Sequence, residues 1–134
     1  MTRVLGIDYG SKRVGLAVSD GLGLTARPLE VVKRSEAVAR IEALAVEYEV
    51  STVVMGMPTR LGGGEGTSAE GARDLAEELE GAGLVVDYLD ERFTSRMAEA
   101  SLLESGMKRR DRRVTVDKVA AAIILQDYLD AQRQ

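Results

Sequence analysis

Four carboxylates stand where an acid calls for an explanation. Asp8 closes the apolar run Val4-Leu5-Gly6-Ile7 and is followed at once by Tyr9-Gly10-Ser11-Lys12-Arg13. An acid at the end of a buried strand is costly unless positive charge or hydrogen bonds meet it. Two readings are open, a turn acid bonding its own backbone ahead of Gly10 or a metal ligand. Asp90 and Glu91 end a second apolar run, Leu84-Val85-Val86-Asp87-Tyr88-Leu89. Ligands of open α/β sheets gather outside such carboxyl ends, although Arg92 beside them also suits an ordinary surface pair. Asp117 opens the last apolar-periodic stretch, where the helix dipole alone favours an acid by ~0.3–1 kcal/mol.

If acids from three distant segments met without a cation, they would repel one another. Magnesium or manganese would relieve that repulsion. Two such ions about 3.5 to 4 Å apart activate a water and stabilise the leaving oxygen of a phosphodiester, a hydrolysis that needs neither His nor Cys. The chain contains neither. That removes the usual zinc sites, thiol nucleophiles and Ser-His-Asp triads, and leaves oxygen ligands, which suit hard cations.

The elements that must carry these acids follow from spacing. Strands are expected at Val4–Ile7, Arg13–Ser19 and Leu29–Val32, with Gly10-Ser11 and Asp20-Gly21 as turns, an antiparallel meander. Ser35 is expected to cap a helix through Val38, Ile41, Leu44, Ala45 and Tyr48. Thr52–Gly56 is apolar on both faces, like a central parallel strand. The loop that follows, Met57-Pro58 with Gly62 to Gly66, leads to a helix amino end where backbone amides could meet a phosphate, or it is simply a flexible connection. Thr67 with Glu70 forms a capping box for a second helix closed by Gly81 or Gly83. Leu84–Leu89 is the fifth strand, Thr94 or Ser95 caps a third helix to about Gly106, and Thr115 caps the last. The pattern predicts an α/β fold, with a mixed five-stranded sheet of three antiparallel strands then two parallel ones, flanked by helices.

A length of 134 residues suits one domain over positions 1–134. No apolar run nears 18 residues and Asp8 interrupts any leader, so neither membrane insertion nor export is expected, and the cytoplasm is. The totals of 18 bases and 22 acids give a net charge of −4. Lys108, Arg109, Arg110, Arg112 and Arg113 set five bases against Asp111; taking these away leaves 13 bases against 21 acids. Positive charge is therefore concentrated. Such a run reads either as a solvated loop or as a grip on phosphates.

Taken in order, Asp8 to Ala17, Gly56-Met57-Pro58, Asp90-Glu91-Arg92-Phe93-Thr94-Ser95 and Asp117 to Leu129 resemble the YqgF/RuvX family nearly end to end. The resemblance implies a ribonuclease-H-like fold akin to the RuvC resolvases. It also implies a nuclease, maturing the 5′ end of precursor 16S ribosomal RNA in ribosome biogenesis or cutting Holliday junctions. Carried over residue by residue, it assigns catalysis and metal binding to Asp8, Glu91 and Asp117, with Asp90 as a helper. The RuvC relatives have a second acid one turn along the last helix, where this chain has Ala120 and Ala121. With Mg2+ or Mn2+ as cofactor, the expected partner is structured RNA or branched DNA, held by Lys12, Arg13, Arg92, Lys108, Arg109, Arg110, Arg112 and Arg113. Four Tyr, one Phe and no Trp offer little surface for stacking bases, so backbone contacts should dominate. A monomer or homodimer is compatible with these expectations, and so is a module of this fold that binds nucleic acid without cutting it.

Overall fold

A computed structural model describes residues 3–57, 66–90 and 109–132; at positions 57, 66–68, 90 and 109–117 it describes the backbone alone. The alternating first third of the chain forms β1 (Arg3–Asp8), β2 (Arg13–Ser19) and β3 (Ala26–Lys33). A short 3-10 turn, Arg34–Glu36, leads into α1 (Ala37–Glu47). Then come β4 (Val50–Met57), α2 (Gly66–Gly81), β5 (Val85–Asp90) and α3 (Arg109–Gln132).

The strands form one sheet in the order β3-β2-β1-β4-β5. β1 pairs antiparallel with β2, and β2 with β3; β1–β4 and β4–β5 are parallel. β1 and β4 lie in the middle and are covered on both faces, which accounts for their nearly continuous apolar sequences. On one face Leu5, Ile7, Leu16, Val53 and Met55 pack against Ile41 and Leu44 of α1 and Leu75 and Leu79 of α2. On the other, Ala17 and Val54 meet Ala121, Leu125 and Leu129 of α3. The mixed five-stranded sheet flanked by helices is the expected architecture.

Most strand ends differ from the sequence reading by one or two residues, and three differences bear on the argument. Ser35 lies inside the 3-10 turn, and no side-chain hydrogen bond caps α1. β3 begins at Ala26 rather than Leu29, because β2 offers a partner as far as Ser19, which pairs with Ala26. Most consequentially, α3 begins at Arg109 rather than after Thr115. Arg is a good helix former and no Gly or Pro interrupts residues 109–115, so propensity outweighs the capping signal at Thr115. The basic run from Arg109 to Arg113 is therefore helical, not a loop, and Asp117 falls in the third turn, where the dipole no longer explains an acid. The helix expected from Thr94 or Ser95 to Gly106 lies outside the described residues.

Candidate active site

Asp8 is the last residue of β1 and only 8% exposed, one of two buried polar residues among those described, the other being Ser19. The turn behind it is tight. A Cβ on Gly10 would lie 2.5 Å from the Arg13 carbonyl oxygen, so only glycine fits without moving the backbone. The Arg34 N–H donates to the Lys12 carbonyl oxygen at 2.9 Å, tying the same turn to the end of β3. Tyr9 packs into the core on the side of α2, its ring against the backbone notch left by Gly71. The Arg34 guanidinium lies 5.9 Å from the centroid of that ring and bridges to Glu78 of α2 at 3.2 Å. The segment leaving Asp8 is thus held from both sides.

The pairing register brings the other strand-end acid to the same edge. Asp8 follows the Ile7–Met55 pair of β1 and β4, and Asp90 pairs with Met57. The two backbones therefore flank β4, about 10 Å apart across the sheet and offset by one residue along it. Asp87 and Leu89 of β5 face α3: Tyr128 donates its hydroxyl proton to Asp87 Oδ2 at 2.5 Å, and Leu89 packs with the α3 cluster. Burial, and then the bond to that carboxylate and its charge, push the Tyr128 phenol up to about 12.

The path of α3 decides whether Asp117 can join Asp8. Gln126 Nε2 donates to the Leu24 carbonyl at 2.9 Å, and its Oε1 accepts from the Ala26 N–H at 3.0 Å. Ala26 pairs with Ser19, whose hydroxyl accepts from the Val4 N–H at 2.8 Å, so Gln126 stands at the starting end of β1. One to five residues earlier, α3 crosses β1 so closely that a Cβ on Gly6 would lie 2.7 Å from Leu125 Cβ and 2.8 Å from the Ala121 carbonyl oxygen. α3 therefore runs against the direction of β1. Position 117 is four residues, about 6 Å, before Ala121; Asp8 is two residues, about 6.6 Å, beyond Gly6. The backbones bring positions 8 and 117 to one height at the carboxyl edge of the sheet.

Ala120 and Ala121 are fully buried, and Ala121 meets β1 itself. Ala121 could not be an acid without moving α3 off the sheet. Among the described residues no three acids gather as a metal site, and of the expected ligands only the Asp8 side chain is described. Glu91, Arg92, Lys108 and residues 58–65 lie outside the described residues. Lys12 is exposed and Arg13 half-buried beside Asp8, while the backbone at Arg109 to Arg113 extends α3 beyond Asp117 at that same end by about 12 Å. Sequence reasoning missed Gly6, Asp87, Gln126 and Tyr128. A glycine inside an apolar strand was the available signal for the first, since it marks a close approach; the polar trio left none.

The family profile described as "RuvX: Holliday junction resolvase" matches residues 2–131. The chain belongs to the RuvX family. A protein of Lactococcus lactis subsp. cremoris (strain MG1363) named "Putative pre-16S rRNA nuclease" is 47% identical to this RuvX-family chain, covering 96% of it and 94% of the relative. One named the same way in Myxococcus xanthus (strain DK1622) is 44% identical over 98% of this chain and 89% of its own. In structure, Thermus thermophilus RuvC in complex with a Holliday junction substrate matches with a TM-score of 0.63 at 20% identity, covering 99% of this chain and 96% of that one. The likeness establishes the ribonuclease-H-like fold. Among the described residues, no helix is long and apolar enough to cross a membrane.

Proposed function

We propose that this chain is a divalent-metal-dependent nuclease that hydrolyses phosphodiester bonds at the 5′ end of precursor 16S rRNA in the cytoplasm. Asp8, Glu91 and Asp117 hold Mg2+ or Mn2+, and Asp90 assists. The observation that carries the reading is the crossing of α3 over Gly6, which sets position 117 level with the buried Asp8. The names of full-length relatives supply the substrate.

The donor chemistry fits a hard cation, since the carboxyl edge of the sheet supplies oxygens alone. On β5 the residues facing α3 are Asp87 and Leu89. When bound, the cation supplies Lewis acidity to the phosphodiester and acidifies a neighbouring water. Asp8, buried at the end of β1 and fixed by the Gly10 turn, orients the site. Lys12, Arg13, Arg92, Lys108 and the arginines of α3 bind phosphates on either side of it. Ala120 and Ala121 leave Asp117 as the acid of α3 within that turn.

Holliday-junction cleavage is the second reading, favoured by the description of the matching family. Paired cuts need two sites and so a homodimer, whereas trimming RNA needs one monomer. The test incubates the protein with precursor 16S RNA and with a four-way DNA junction, in Mn2+, Mg2+ or chelator. Metal-dependent cleavage of the RNA is expected, with losses of 100-fold or more, about 3 kcal/mol of transition-state stabilisation, in Asp8→Asn, Glu91→Gln and Asp117→Asn. Undiminished cleavage in all three variants would refute the metal site. Cleavage of the junction alone would favour the second reading, and binding without cleavage of either substrate would make the chain a non-catalytic nucleic-acid module.

A further inference from the structure

We infer that Tyr128 and Gln126 are positioning residues for this site: they fix the roll of α3 on the sheet and so hold Asp117 against Asp8. The inference rests on the metal-site reading above. α3 touches the sheet in two distinct ways.

Along its middle, α3 meets the sheet through small and apolar groups, Ala121 and Leu125 over Gly6, Ala17 and Val54. Such contacts set the distance between helix and sheet but are non-directional, so they do little to resist rotation about the helix axis. The directional contacts lie on either side of β1. Toward the β3 edge, the Gln126 amide bonds the backbone at both Leu24 and Ala26. Its Nε2 also donates to Asp130 Oδ1 at 3.0 Å, one turn on, which fixes which way the amide faces. Toward the β5 edge, Tyr128 bonds Asp87 at 2.5 Å. With the strand order β3-β2-β1-β4-β5, these two anchors pull on opposite flanks of the helix, as two stays hold a mast.

The lever matters because the helix is stiff between the anchors and Asp117, nine and eleven residues away. Side-chain atoms at the helix surface lie about 5 to 6 Å from its axis, so a roll of about 10° displaces them by about 1 Å. A shift of that size is enough to spoil a ligand set or a reacting geometry. β5, which carries Asp87, also carries Asp90 at its end, so the same bond ties together the two elements that bear acids besides β1.

Mn2+ binding without nucleic acid tests this, read by electron paramagnetic resonance, with melting temperature measured beside it. Tyr128→Phe keeps the ring and removes the bond, and Asp87→Ala removes the acceptor. Each is expected to weaken Mn2+ binding by about ten-fold or more, the scale on which ligand-orienting groups act. The double variant should be no weaker than either single one. Asp87→Asn keeps an acceptor for the tyrosine hydroxyl and should bind nearly as the parent does. Gln126→Leu should weaken binding independently of Tyr128→Phe. Variants that melt earlier yet bind Mn2+ like the parent would overturn the positioning role while leaving the metal site standing. A parent that binds no Mn2+ would instead remove the metal site, and this inference with it.

Discussion

Gly6 shows how one absent methyl group shapes the site. It sits in β1 where α3 crosses, and the space its Cβ would need is taken by the Ala121 carbonyl and Leu125 Cβ. Gly6→Ala should therefore lift α3 from the sheet, costing about 1–3 kcal/mol by overpacking. Cleavage should fall further than stability does, because Asp117 moves away from Asp8. Chemical denaturation alongside a cleavage assay checks this, and an alanine variant of parental stability and activity would show that the crossing is loose. At this scale Asp8 was legible in the sequence, since a carboxylate closing a run of buried residues needs a reason. Gln126, Tyr128 and Asp87 were not. Their partners lie 41 to 102 residues away, and no local pattern encodes which side chains meet across a sheet.

The elements were legible where period and punctuation agreed. Arg13–Ser19 matches its expected bounds, and α2 closes at Gly81 as its glycines suggested. The start of α3 was misread because Thr115 imitates a cap within a run that is helical by propensity. The end of α1 carries a different strain. Glu49, just beyond it, adopts φ 56°, the left-handed region that costs a residue with a side chain about 1–2 kcal/mol. Glycine takes that conformation without strain but loses more freedom on folding. Glu49→Gly should therefore raise stability by up to about 1 kcal/mol, measured by urea denaturation, and leave cleavage unchanged. A destabilised variant would mean that the Glu49 side chain makes a compensating contact.

For the molecule as a whole, one edge of the sheet collects what a nuclease needs: the ends of β1, β4 and β5, and the N-terminal half of α3 with its arginines. The chain is acidic overall, at −4, and under the proposed function its affinity for a polyanion would come from this concentrated strip. Replacing Arg109, Arg110, Arg112 and Arg113 by Ala should weaken RNA binding and flatten its logarithmic salt dependence by about 0.7–0.9 for each phosphate no longer neutralised. An unchanged slope, read from binding titrations at several salt concentrations, would assign those arginines to solvent. The fold class was readable because a meander followed by strand-helix alternation admits few topologies. The placement of position 117 level with Asp8 was not, since it depends on the direction in which α3 crosses β1. The most direct test is an X-ray structure of crystals soaked in Mn2+, with data collected for anomalous scattering. An anomalous peak is expected at the carboxyl edge of the sheet, about 2.0–2.5 Å from carboxylate oxygens of Asp8, Glu91 and Asp117. Those three side chains directed into separate regions, with no peak between them, would contradict the shared metal site.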